Sequence, residues 1–361
     1  MGDENIPEFR LLFSIPCRDY AHITKPRDEF ISETTYTTVL NGLSLTWQIG
    51  LEPKSHERTQ EPYIFAKLKT SLPGMTRLSG YTPKISAHYQ ADSDWKQEVD
   101  SSEPAFKSTY VEYMEDARPT MGFGLGIRGL SNSPGKDQVL EGRLHLRIRA
   151  EDCQPLHFFP KPLPPSGKNH LLRTLLDNMR KGPWLGCVEL VCAEGESLWP
   201  NAGLLAASSA FFSDQLKPHA TKLGEFEAVE LRSYDASLVQ IIVKDLYTAE
   251  VPSEILHLSW DRLLNAVRLA KKVKPSNLND LLQQLHRELV RSFDSAMEIR
   301  DLLEAWRFAK LHELPVLDNL AFTALTASPA QLSRVEGLPL AELQEILDGV
   351  EDCRRVIGPI V

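Results

Sequence analysis

Cys187-Val188-Glu189-Leu190-Val191-Cys192 reads as a strand, and the turn-rich Ala193-Glu194-Gly195-Glu196 closes it. Around this run, the stretch from Trp184 to Ala249 decides the fold. Downstream, Asn201 to Leu216 is rich in alanine and serine, with Leu204, Leu205, Phe211, Phe212 and Leu216 as its apolar bulk. This predicts one helix over 201–216, with small residues where a neighbouring backbone comes close. Ala228-Val229-Glu230-Leu231 predicts a second strand. Tyr234-Asp235 opens a helix that ends at Leu246-Tyr247-Thr248-Ala249.

The order strand, turn, small-residue helix, strand, helix resembles a BTB/POZ domain. The likeness is carried by Leu205-Ala206-Ala207-Ser208-Ser209-Ala210-Phe211-Phe212 and by Leu246-Tyr247-Thr248, the latter matching a helix that ends hydrophobic-hydrophobic-Tyr-Thr-Gly. Two signature positions depart: the family's Asp falls at Gly186 and its His at Asn201. In the family these two side chains sit together, so their joint loss fits a drifted member. The final glycine is Ala249.

Outside this stretch, 361 residues imply two or three domains, and 42% hydrophobic with 25% charged residues is ordinary for a globular chain. A net charge of −9 argues against a general nucleic-acid binder. Arg143, His145, Arg147 and Arg149 alternate with apolar residues and read as the solvated side of a half-buried strand. No apolar run reaches the ~18 residues of a membrane span. The acidic opening Met1–Pro7 has no secretory-leader pattern. Five cysteines, at 17, 153, 187, 192 and 353, predict reduced thiols in the cytoplasm or nucleus.

Residues 8–152 read as β. Leu43, Leu45, Trp47, Ile49 and Leu51 alternate with Ser44, Thr46, Gln48 and Gly50. Further strands are expected over 63–68, 84–89, 110–114, 121–127 and 144–148, separated by Gly, Pro and polar clusters, as in an antiparallel sandwich. The run Trp47-Gln48-Ile49 before Pro53, Lys84-Ile85-Ser86, Met121-Gly122-Phe123 and the closing Leu144–Asp152 resemble a MATH domain. That resemblance implies a shallow groove for a short substrate peptide. Tyr113, Met121 and Phe123 match groove positions, and Lys67 stands where the family has an aromatic residue, adding a positive edge that favours acidic or phosphorylated peptides.

Residues 153–168 hold five prolines and read as a semi-stiff linker. The BTB-like domain is then expected over 169–275. Leu171, Leu175 and Met179 recur at helical spacing and match the family's two-fold dimer face. The resemblance places a cullin-3 contact on Phe212, Leu216 and Tyr247, with Leu223-Gly224-Glu225 as its hydrophobic-x-Glu motif. Residues 276–350 carry helical apolar stripes. Ala305–His312 and Leu338–Leu347 resemble a BACK domain, with Ala270 at a family tyrosine position. Ser253 is expected to cap one segment and Ser295–Glu298 to form a capping box before another.

The chain is thus expected to be multidomain α+β: a MATH-like sandwich, an α/β BTB domain and a helical BACK-like extension. Gly122–Gly126 lies in a β region and opens no helix, so it is no phosphate loop. No nucleophile elbow or zinc-binding helix appears, and no metal, cofactor or catalytic residues are expected. The resemblance implies a homodimeric substrate adaptor of a cullin-3 ubiquitin ligase, binding protein substrates through short motifs and touching neither nucleic acid nor membrane. The alternative is a dimeric scaffold or transcription-linked protein without a cullin contact.

Overall fold

The computed structural model describes residues 7–20, 30–52, 63–69, 84–90, 96–100, 109–112, 120–123, 139–147, 153–159, 178–180, 186–216, 228–248, 251–332, 335 and 337–357. The described elements are mixed α and β. The chain forms two compact units. One joins residues 1–158 to 295–361; the other is 159–294.

The first unit begins with β1 (Glu8–Pro16) and α1 (Cys17–Tyr20), followed by β2 (Phe30–Leu40), β3 (Leu43–Glu52) and β4 (Tyr63–Leu68). After these come β5 (Lys84–Gln90), β6 (Lys96–Asp100), β7 (Thr109–Glu112), β8 (Thr120–Phe123) and β9 (Val139–Arg147). β1 buries Phe9, Leu11, Phe13 and Ile15 and alternates them with exposed residues. β3 buries Leu43, Leu45, Trp47, Ile49 and Leu51, the alternation expected from the sequence. Trp47 keeps its indole N–H satisfied by donating to Thr38 Oγ1 at 2.9 Å. Asn41-Gly42 join β2 to β3 with positive φ at both residues and Leu40 opposite Leu43. This is the two-residue turn whose twist matches a hairpin, and asparagine and glycine bear its left-handed backbone at least cost.

In the second unit β10 (Leu190–Val191) lies between antiparallel β11 (Ser197–Leu198) and parallel β12 (Val229–Glu230). The helices are α2 (Ala202–Ser208), α3 (Ala210–Leu216), α4 (Ala236–Thr248), α5 (Trp260–Val273) and α6 (Leu278–Ser292). The single helix expected over 201–216 is broken at Ser209, whose backbone is extended. Ser209 is buried. Its hydroxyl donates to the Val273 carbonyl and accepts from Phe212 N at 3.2 Å, capping α3. Asn201 caps α2 through Leu204 N at 3.0 Å, and Asp235 caps α4 through Leu238 N at 2.8 Å. Helix α5 ends at Lys274 in the left-handed region, just before Pro275. Helix α6 fully buries Leu281, Leu285 and Leu289.

The chain then returns to the first unit with α7 (Ile299–His312), α8 (Pro315–Ala327), α9 (Pro329–Leu332), α10 (Leu340–Arg354) and β13 (Val356–Ile357). Neither expected serine cap forms. Ser253 opens a short 3-10 turn without capping it, and Glu298 precedes α7 with no side-chain cap. Strand β13 pairs with β1, giving a five-stranded antiparallel sheet of order β13-β1-β9-β5-β6; a second sheet is β2-β3-β4, and β7-β8 pair alone. Helices α8 and α10 pack on β3 and β2. Thr35 Oγ1 donates to Asp352 Oδ2 at 2.7 Å across this contact. The 276–350 helical stretch is thus shared: α6 lies in the second unit and α7 to α10 in the first.

Candidate protein-interaction site

The centre of the second unit is a knot of three residues. Gly186 has φ +79°, a backbone that side-chain-bearing residues adopt at a cost. A Cβ at 186 would lie 3.9 Å from Asn201 Nδ2. The Gly186 carbonyl accepts from Ala202 N at 2.9 Å, and Cys187 bridges Asn201. The Asn201 backbone amide donates to Tyr247 Oη at 2.6 Å. Tyr247 is only 8% exposed. Burial raises its phenol well above the ordinary value, the Asn201 hydrogen bond opposes that, and Cys187 adds to the rise. The two positions that depart from the signature therefore lie side by side. Tyr247 binds the start of α2 from across the unit, while the asparagine side chain caps the helix.

Phe212 and Leu216 are 1% and 5% exposed. With Tyr247 they face the interior, where their apolar surface adds to the core. These are three of the residues on which the BTB resemblance places a cullin-3 contact, and in this chain their side chains are buried. Helix α3 instead exposes Asp214 and Gln215 and partly exposes Phe211. Leu223 and Glu225 lie outside the described residues, as do Leu171 and Leu175. Met179 is buried within this one chain, and its carbonyl accepts from Trp199 N at 2.8 Å.

In the first unit, Lys67 is carried by β4 opposite Gln48 of β3. Met121 and Phe123 lie on β8, opposite Val111 and Thr109 of β7. Strands β4 and β8 are neighbours, so the fold brings the backbones bearing Lys67, Met121 and Phe123 near one another. Tyr113 lies outside the described residues.

Aromatic rings and lysines meet at the surface of the second unit. Lys272 Nζ stands 5.7 Å from the Phe211 ring and 5.8 Å from the Tyr234 ring. Their meeting depends on the packing of α3 against α5, which leaves no local signal in the sequence. Among the described residues no group of three or more His, Cys, Asp or Glu is placed to hold a metal. Cys187, Cys192 and Cys353 are free thiols; burial, then Glu196 and Asp235, push the Cys192 thiol up to about 11. No described helix is long and apolar enough to cross a membrane.

No protein-family model matches the chain, and no curated protein matches it. Among solved structures the chain is similar to the BTB domain of human gigaxonin, at 19% identity and a TM-score of 0.24. That similarity covers 35% of this chain and 97% of the gigaxonin domain.

Proposed function

We propose that the chain is a non-catalytic adaptor whose second unit is a BTB-type interaction module. The observation that carries this reading is the adjacency of Gly186 and Asn201. The BTB resemblance implies that these two positions sit together, and in this chain they lie side by side between a three-stranded sheet and a broken small-residue helix. In this reading the module dimerises through Leu171, Leu175 and Met179. It docks cullin-3 through the exposed side of α3 together with Leu223 and Glu225. The strands of the first unit bind substrate peptides on a MATH-like face for which the resemblance names Lys67, Tyr113, Met121 and Phe123. Helices α6 to α10 then serve as the BACK-like extension. The protein works in the cytoplasm or nucleus and passes substrates to a ubiquitin ligase without doing chemistry itself.

A second reading is a dimeric scaffold with no cullin contact. The burial of Phe212, Leu216 and Tyr247 favours it, since three of the five expected contact residues are committed to the core. Light scattering of the full chain, followed by titration with the cullin-3 N-terminal domain, separates the readings. A dimer that binds with micromolar or tighter affinity supports the adaptor, and a dimer without affinity supports the scaffold. A monomer at micromolar concentration defeats both.

A further inference from the structure

Asp245 lies in α4 with its side chain 0% exposed. Its Oδ1 accepts from Asn277 Nδ2 at 2.8 Å. Asn277 stands at the start of α6, where an asparagine ordinarily turns its side-chain oxygen to the first-turn amides. Here it makes no such cap, because its side chain is turned to Asp245. Two oxygens are left over. Asp245 Oδ2 and Asn277 Oδ1 are both buried and both without a hydrogen-bond partner. They are the remaining corners of one carboxyl–carboxamide pair already bonded at its other corner. Two acceptors cannot satisfy each other, but a carboxylic acid and an amide can.

We propose that Asp245 is a proton-binding latch: protonated on Oδ2, it donates to Asn277 Oδ1, closing a two-bond acid–amide ring that fastens α4 to the start of α6, and loss of that proton to water opens the ring. Burial raises the carboxyl to about 6; the Asn277 hydrogen bond pulls it down and Asp280 pushes it up. The other elements packed on α4 contribute little charge. Helix α2 and strand β11 carry no ionisable side chain. Helix α5 carries Asp261, Arg262, Arg268, Lys271 and Lys272, and α6 adds His286, Arg287, Glu288 and Arg291 beyond Asp280. Of these, Asp280 alone bears on Asp245. Lys244, next to Asp245 in α4, is paired with Glu254 at 2.5 Å.

The fold prefers the neutral acid. Its contribution is fully present below the unfolded value near 3.8, is lost as pH rises through about 6, and is constant above that. Asp245→Asn supplies the missing donor permanently and should behave as the closed latch at every pH. The readout is hydrogen exchange of the full chain at the Asp280 and Leu281 amides, which donate to the Asn277 carbonyl at 3.0 and 3.1 Å. Each pH from 4.5 to 7.5 is measured for wild type and Asp245→Asn, so that the His286 titration common to both cancels in their ratio. Relative to its level at pH 4.5, the protection of wild type should fall behind that of Asp245→Asn by roughly 30-fold at pH 7.5. A ratio that stays constant with pH, or an Asp245→Asn chain less protected throughout, overturns the latch. The Asp245 carboxyl carbon, assigned by its loss in Asp245→Asn, gives a second measurement by NMR. A midpoint near 6 supports the proposal, and one near 3.8 defeats it.

Discussion

Asn319 of α8 holds Ser44 of β3 by both of its backbone groups. Its Oδ1 accepts from Ser44 N at 2.6 Å and its Nδ2 donates to Ser44 O at 2.8 Å. The pair joins positions 275 residues apart and completes the start of the strand after the Asn41-Gly42 turn. Asn319→Ala would leave a part-buried amide and carbonyl without these partners. The expected loss is about 2 kcal/mol of stability, read by urea unfolding. A change below about 0.5 kcal/mol, the level of an ordinary surface substitution, would show that the contact does not form.

Helix α3 offers a clean division between packing and binding. Phe212→Ala should cost about 3–5 kcal/mol through the cavity it leaves. Asp214→Lys and Gln215→Ala should change stability by less than about 0.5 kcal/mol. Thermal unfolding and cullin-3 titration of the same three variants test this. If Phe212→Ala unfolds normally and loses only cullin-3 binding, the burial of that ring is wrong.

Tyr247→Phe removes the acceptor for the Asn201 amide while keeping the ring in place. A loss of about 1–2 kcal/mol is expected, with slower folding excluded as the cause by measuring both rates. Gly186→Ala should cost about 1 kcal/mol, because φ +79° strains any Cβ although the space is open. Equal stability of Gly186→Ala and wild type would contradict the left-handed backbone.

Acid should destabilise the second unit through His286. Burial lowers its imidazole to about 4, and the ring lies edge-on to Phe159 at 4.8 Å. The neutral form is favoured, so this contribution is complete above the unfolded value near 6.5 and is lost as pH falls through about 4. The full window amounts to about 3 kcal/mol. Unfolding curves of His286→Phe and wild type should converge toward neutral pH and separate toward pH 4, with wild type the weaker. Parallel curves would remove His286 as the cause.

The alternation from Leu43 to Leu51 was readable because a strand with one buried face writes its period into adjacent residues. Strand β1 carries the same signal in Phe9, Leu11, Phe13 and Ile15, and Asn41-Gly42 is a residue pair suited to a hairpin turn. Other features were not local. The break at Ser209 is decided by a carbonyl 64 residues away, while the surrounding alanines favour a continuous helix. The stripes on α8 and α10 announce burial without naming what they bury against, so their packing on β3 and β2 could not be read. Phe212, Leu216 and Tyr247 are apolar or aromatic residues that serve a core and an interface equally well in sequence. A lone aspartate in an apolar helix, Asp245, is indistinguishable in sequence from a solvated one.

The first unit is assembled from both ends of the chain, and this has a consequence on the ribosome. Thr35 emerges 317 residues before the Asp352 that it bonds. At about 5–20 residues per second, that is roughly 15–60 s. Until α8 and then α10 emerge, β3 and β2 have no helical cover, while residues 159–294 already possess every segment of their own unit. The inserted unit can therefore mature first on the nascent chain. A premature stop before α8 would release the opening strands with their apolar rows bare, a form suited to capture by chaperones or to aggregation.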